Sequence, residues 1–159
     1  MSRTLICVVG SDRAGADIVN AREVGRLIAG EGWVVLTGGR ASGVMDAASA
    51  GAREGGGLTV GILPDRHAAV SPFVDIAIQT DLHNARNNVN VISARAVIAC
   101  GAGGPGTVSE IALALKSDVP VILLGCDDLA VRFLRSIGAV RVAHSPAEAV
   151  TMAKEVVGS

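Results

Sequence analysis

Tyrosine is absent from the chain, tryptophan occurs once and phenylalanine twice, so aromatic residues make up only 2% of its 159 positions. Proteins that bind single strands without sequence preference stack the bases on aromatic side chains, and this chain has too few to build such a platform. Positive charge is not in excess either: 14 basic side chains stand against 15 acidic ones, for a formal net charge of -1. Affinity for a phosphate backbone comes largely from clustered Lys and Arg, so nucleic acid is not an expected partner.

Long apolar runs are also missing. The aliphatic stretches are about four to eight residues long, against the roughly 20 needed to span a bilayer. Met1-Ser2-Arg3 leads directly into Leu5 to Val9, which is too short for a signal peptide and has no small-residue cleavage site. The expectation is a cytoplasmic protein with no membrane partner. The three cysteines, Cys7, Cys100 and Cys126, are far apart and never in C-x-x-C spacing, which argues against a disulfide framework or a zinc site. They read as small buried hydrophobes in strands. His67, His83 and His144 are scattered, so surface roles are expected and no metal site.

Two familiar nucleotide motifs are excluded by spacing. No glycine is followed by lysine, so a Walker A loop has no Lys for the β- and γ-phosphates. The first turn, Gly10-Ser11-Asp12-Arg13-Ala14-Gly15, is not G-x-G-x-x-G, and the second apolar run ends in Thr37-Gly38 rather than an acidic ribose ligand. Conventional NAD binding is disfavoured, and no methyltransferase or kinase motif is found.

Half of the residues are hydrophobic and 18% charged, a composition that buries a core, and the length fits one domain over residues 1–159. Apolar runs recur at Leu5 to Val9, Trp33 to Leu36, Thr59 to Leu63, Val74 to Ile78, Ala96 to Cys100 and Val119 to Leu124. They are continuous rather than alternating, as in strands covered on both faces of a parallel sheet. Stretches of helical spacing separate most of them: Ile18 to Ile28, Val44 to Arg53, Leu82 to Ala94 and Val108 to Leu115. The expected fold is α/β: a Rossmann-like, doubly wound, mostly parallel sheet of six to seven strands with helices on both faces. The tail repeats the pattern, with a helix over Leu129 to Ser136, a strand over Val140 to Val142 and a helix opened by Ser145-Pro146 that runs to Val157. The longest irregular segment, Pro64 to Pro72, is expected to arch over a site or a subunit interface.

In an open parallel sheet, ligands bind beyond the carboxyl ends of the strands. Three predicted strands end in glycine: Gly10-Ser11, Thr37-Gly38-Gly39-Arg40-Ala41-Ser42-Gly43, and Gly101-Ala102-Gly103-Gly104-Pro105-Gly106-Thr107. All three fall on one edge, where free amides and helix N-termini make an anion cradle without any lysine. Gly10-Ser11 reads equally well as a simple strand terminator. In the third turn several glycines, a proline suited to N1 and a Thr hydroxyl converge on one helix start, which points to phosphate.

Two side chains carry potential chemistry beside these turns. Thr107-Val108-Ser109-Glu110 fits a capping box; placing Pro105 at N1 instead puts the N-cap at Gly104 and leaves Glu110 one turn inside the helix, facing the phosphate end. Arg86 lies in His83-Asn84-Ala85-Arg86-Asn87-Asn88-Val89-Asn90. At helical spacing Arg86, Asn87 and Asn90 share a face and offer a charged fork and amide donors. Arg40 is a further phosphate partner, whereas Asp12 and Arg13 either touch ligand or form a solvated loop.

The run Gly103-Gly104-Pro105-Gly106-Thr107-Val108-Ser109-Glu110 resembles the P-G-G-x-G-T-x-x-E signature of the Lonely guy proteins, often mislabelled lysine decarboxylases. Gly38-Gly39 with Gly43-Val44-Met45, and Val60-Gly61-Ile62-Leu63-Pro64, are similar to other landmarks of that superfamily, over roughly Leu5 to Gly125. The resemblance implies a Rossmann-like fold, a homodimer or homotetramer, and a phosphate site on the glycine loop. Its cytokinin-activating members hydrolyse the N-glycosidic bond of a nucleoside 5′-monophosphate with an arginine and the signature glutamate, which match Arg86 and Glu110. Those enzymes carry Arg-Lys in an E-R-K context, where this chain has Ala85-Arg86-Asn87-Asn88, and its loop opens with Gly101-Ala102 instead of Leu-Pro.

The Ala-Arg-Asn element, Gly43-Val44-Met45-Asp46-Ala47-Ala48 and the short length look more like the molybdenum-cofactor carrier branch. The resemblance therefore implies a binder of a phosphorylated heterocycle such as molybdopterin or the molybdenum cofactor. The alternative is the phosphoribohydrolase, which needs no cofactor for catalysis. Under either function the expected ligand-binding residues are Gly10, Ser11, Gly38, Gly39, Arg40, Gly43, Asn87, Asn90, Gly103, Gly104, Gly106 and Thr107, with Arg86 and Glu110 catalytic in the hydrolase.

Overall fold

The computed structural model describes residues 2–12 and 15–158. Arg13, one of the residues beside the first glycine turn, lies outside them. Seven strands, β1 (Leu5–Gly10), β2 (Val34–Thr37), β3 (Thr59–Leu63), β4 (Ile76–Gln79), β5 (Ala96–Cys100), β6 (Val121–Leu124) and β7 (Val140–Ala143), form one sheet in the order β4-β3-β2-β1-β5-β6-β7. Every neighbouring pair is parallel. The expected doubly wound α/β architecture is present.

Alternate residues of each central strand serve opposite faces, which is why the apolar runs are unbroken. Ile6 and Val8 of β1 join a core with helices α1 (Ala16–Gly30), α2 (Gly43–Glu54) and α6 (Pro146–Val157). Cys7 and Val9 of the same strand face a second core formed by α3 (Arg86–Ile92), α4 (Pro105–Lys116) and α5 (Asp128–Ile137). Each Val or Ile so buried contributes about 1.5–3 kcal/mol of hydrophobic free energy. With β1 covered on both faces, the carboxyl ends of β1 and β5 are fixed side by side.

Two elements depart from expectation. The run Val74 to Ile78 was expected to be a covered strand, but all four residues of β4 are exposed. The connection from β3 to β4 is irregular rather than helical, so no crossover helix lies over the edge strand. The helix expected over Leu82 to Ala94 is shorter: a 3-10 turn at His83–Ala85 precedes α3. Asp81 and His83 adopt left-handed backbone angles, with φ of 56° and 49°, and these break helical propagation.

The segment Pro64 to Pro72 braces the second glycine turn. Arg40 and Val70 form an antiparallel bridge, Ala41 N–H donates to Ala69 O at 3.1 Å, and Ser71 N–H donates to Gly39 O at 2.9 Å. Its far end is tied down where Arg53 Nη1 donates to Pro72 O at 3.0 Å.

Candidate functional site

Strand order reverses between β1 and β5, with β2 on one side of β1 and β5 on the other. At such a switch point the two following loops diverge to opposite faces and leave a crevice. A cavity of about 310 Å³ occupies it, a size at the lower end of small-molecule sites. Val8, Val9, Gly10, Ser11 and Asp12 line it from β1, and Gly38, Arg40, Ser42 and Met45 from the second turn. Asn84, Arg86 and Asn87 close the α3 side, and Gly103 to Thr107 with Glu110 the α4 side.

The α4 wall is a helix start with nothing of its own to cap it. Gly104 is the N-cap, Pro105 occupies the first turn, and no side chain accepts from the helix. The first bond across the turn runs from Val108 N–H to Gly104 O, so the Gly106 and Thr107 amides are left for another acceptor. The expectation that Pro105, not Thr107, sets the helix start is met, and Glu110 lies one turn inside.

The site glycines divide into two sets. A Cβ on Gly10 would fall 2.6 Å from Cys100 O, and one on Gly38 would fall 2.6 Å from Met45 Sδ and run into the Arg86 guanidinium. Gly39, at φ 73°, packs on the Gly61 backbone, and Gly43, at φ 56°, on that of Ser11 and Asp12. Backbone packing or backbone angle requires glycine at Gly10, Gly39 and Gly43, and Gly38 leaves room for the tips of Arg86 and Met45. Gly104 and Gly106 are different: an added Cβ would meet nothing within 4 Å, and neither has a positive φ. The protein's own packing gives no reason for glycine at either position.

Gly39 and Gly43 shape the wall without lining the cavity, and Gly39 N–H donates to Thr37 Oγ1 at 3.0 Å. Asn90 is also behind the wall: it is fully buried and donates through Nδ2 to Glu110 Oε1 at 3.0 Å. Asn87 lines the cavity and donates to Ser109 Oγ at 2.9 Å, which in turn donates to Gly106 O at 2.7 Å. Both asparagines thus clamp α3 to α4, and Asn87 faces the cavity as well. Ser42, Met45 and Asn84 line it without having been expected to. Each lies inside a segment singled out from sequence, and Asn84 begins the amide run that was its clearest signal.

Arg86 is 9% exposed, yet its Nε has no hydrogen-bond partner, and none of the ion pairs among the described residues involves it. Burial lowers its pKa, Glu110 pulls it back up and Arg40 lowers it further. A buried guanidinium without a paired carboxylate is unfavourable unless an anion joins it. Glu110 is pushed up to about 7 by burial, against the opposing effects of the Asn90 hydrogen bond and Arg86. Near neutrality it is therefore present in both protonation states.

The thiols take no part as nucleophiles. Cys7, beneath the cavity, and Cys100 are buried and Cys126 is partly so, and all three are free. Burial raises each thiol, that of Cys126 to about 11, so thiolate is scarce at neutral pH. Among the described residues no helix is long and apolar enough to cross a membrane.

The SLOG cluster4 family model matches residues 3–150. The molybdenum cofactor binding protein of Rippkaea orientalis is 48% identical over 99% of both chains, with a TM-score of 0.90. The molybdenum cofactor carrier protein of Chlamydomonas reinhardtii is 42% identical over 99% of this chain and 100% of its own, with a TM-score of 0.93. An uncharacterized protein of Archaeoglobus fulgidus is 50% identical over 96 residues, which span 60% of this chain and 62% of that relative.

Proposed function

The chain belongs to the SLOG cluster4 family, and from that premise we propose that it is a molybdenum cofactor carrier-like protein, folded as one domain over residues 1–159, that binds a phosphorylated heterocycle in the switch-point cavity. The observation that carries this function is the buried, unpaired Arg86 facing an uncapped helix start across that cavity. Relatives at 42–48% identity over nearly the whole chain are a carrier and a binding protein for this cofactor.

The phosphate would be held by the amides of Gly106 and Thr107, the Thr107 hydroxyl and the Arg86 fork, with Arg40 at the exposed rim. Gly103 and Gly104 let it reach the main chain, and Gly10, Ser11 and Gly38 complete the wall. Asn84 and Asn87 offer donors and acceptors to a heterocycle. Carrying requires protection and release, and no bond need break. The test is retention: purified protein incubated with molybdenum cofactor and passed over a desalting column should keep about one pterin per chain. Retention no greater than that of an unrelated protein would overturn the proposal, and release of free base from AMP would replace it with the hydrolase.

The protein is also proposed to be a homodimer or homotetramer. Ile76 and Ile78 are 46% and 44% exposed, Leu82 47% and Ile92 52%. Ile76 and Ile78 pair with Val60 and Ile62, which pack in the same core as Val91 of α3, so Ile76 and Ile78 extend the face that α3 covers. From Ile76 to Ala94 only Asp81 and the buried Arg86 carry formal charge. An edge strand exposed to solvent ordinarily carries charge that prevents pairing, and charge is depleted at the core of interfaces. A second copy of the chain suits this surface. Light scattering should give an oligomer for the wild type and a smaller species for Ile76→Lys with Ile78→Lys; an unchanged mass would remove this face from the interface.

A further inference from the structure

We propose that the cavity takes up a proton together with its anion, and that Glu110 is the residue that receives it. This inference rests on the anion site proposed above. The amides of Gly106 and Thr107 begin the helix that carries Glu110 one turn later, and all three residues line the same cavity of about 310 Å³. An oxyanion on those amides is therefore confined with a carboxylate. Two negative charges lining one cavity of this size repel, and the one that can neutralise itself does so.

Of the carboxylates near Glu110, Asp65 after β3 acts on Arg86 but lies outside the cavity lining. Asn90 on α3 donates to Glu110 and does not titrate. Arg86, on the same helix, stays protonated as guanidinium. Cys7 on β1 is already held as the thiol by burial. Arg40 and Asp12 line the mouth from the two turns and are exposed, so water screens them. No histidine lines the cavity.

Asn90 can serve both states of Glu110. Its Nδ2 donates to the carboxylate, while its Oδ1 is buried without a partner. Rotation of the amide would present Oδ1 as an acceptor to a carboxyl O–H. The proton comes from solvent, forms an O–H bond on a Glu110 oxygen as the anion enters, and returns to solvent as it leaves. Affinity for a dianion should then fall as pH rises, so that release is favoured on the alkaline side.

The test uses sulfate, which remains doubly charged across the range and brings no titration of its own. Calorimetry at pH 7 in buffers of different ionisation enthalpy should show uptake of about half a proton per sulfate, and affinity should weaken roughly tenfold between pH 6 and pH 8. Glu110→Gln should bind sulfate with no buffer-dependent heat and a flat pH profile. Equal heats in every buffer for the wild type, or uptake that persists in Glu110→Gln, would overturn the proposal while leaving the anion site standing. Absence of sulfate binding in both proteins at every pH would overturn the anion site, and this inference with it.

Discussion

Arg86→Ala is expected to weaken retention of the molybdenum cofactor by at least about 30-fold, corresponding to the 2–5 kcal/mol typical of losing one member of a buried charge pair. The guanidinium lies within the wall, 9% exposed, with Nε unpartnered, so its desolvation is already paid for in the free protein and the anion gains the full attraction. For the same reason the variant should fold at least as stably as the wild type, because it removes a buried cation that no carboxylate pairs. Arg86→Lys should fail to restore binding: an ammonium is a point charge and lacks the planar fork that grips two oxygens. Equilibrium dialysis against the cofactor, with urea unfolding of the same samples, measures both effects. Unchanged retention in a folded Arg86→Ala would remove the arginine from the site.

Where local chemistry decides the outcome, the sequence was sufficient. The runs Thr59 to Leu63 and Ala96 to Cys100 coincide with β3 and β5, because a strand buried on both faces must be apolar throughout. Pro105 marked the start of α4 because its fixed φ and missing N–H suit only the first turn. Long-range packing was less legible. The covering of β4 depends on whether a helix crosses over it, and the run Val74 to Ile78 carries no trace of that.

The glycine turns show the same division. Their position at the strand ends was visible in the chain, whereas their individual purposes were not. Gly38 makes room for the tip of Arg86, 48 positions later in sequence, and Gly39 lies against Gly61. Periodicity placed Asn90 on a face with Arg86, and it is indeed one helical turn away. Whether that face met ligand or α4 depended on the α3–α4 packing, and Asn90 turned to Glu110.

Glu110→Gln should change how stability depends on pH by more than any other single substitution in the site. Glu110 titrates near 7 in the folded chain and near the ordinary glutamate value once unfolded. Between those values the folded state holds the proton more tightly, so stability is fully present below the unfolded pKa, declines as pH rises and levels off above about 7. The difference is worth about 3 kcal/mol at one unit per 1.36 kcal/mol. Glutamine keeps an oxygen for Asn90 Nδ2 and never ionises, so unfolding curves should favour the variant by about that amount more at pH 8 than at pH 4.5, with every other titrating group cancelling between the two proteins. A stability difference that does not move with pH would mean that burial does not hold the proton on Glu110. The apo chain would then carry an ionised carboxylate beside the anion site, offset by the Asn90 hydrogen bond and Arg86. If the difference moves as expected, the glutamate costs the empty protein stability at neutral pH, and an anion that enters with a proton relieves that cost.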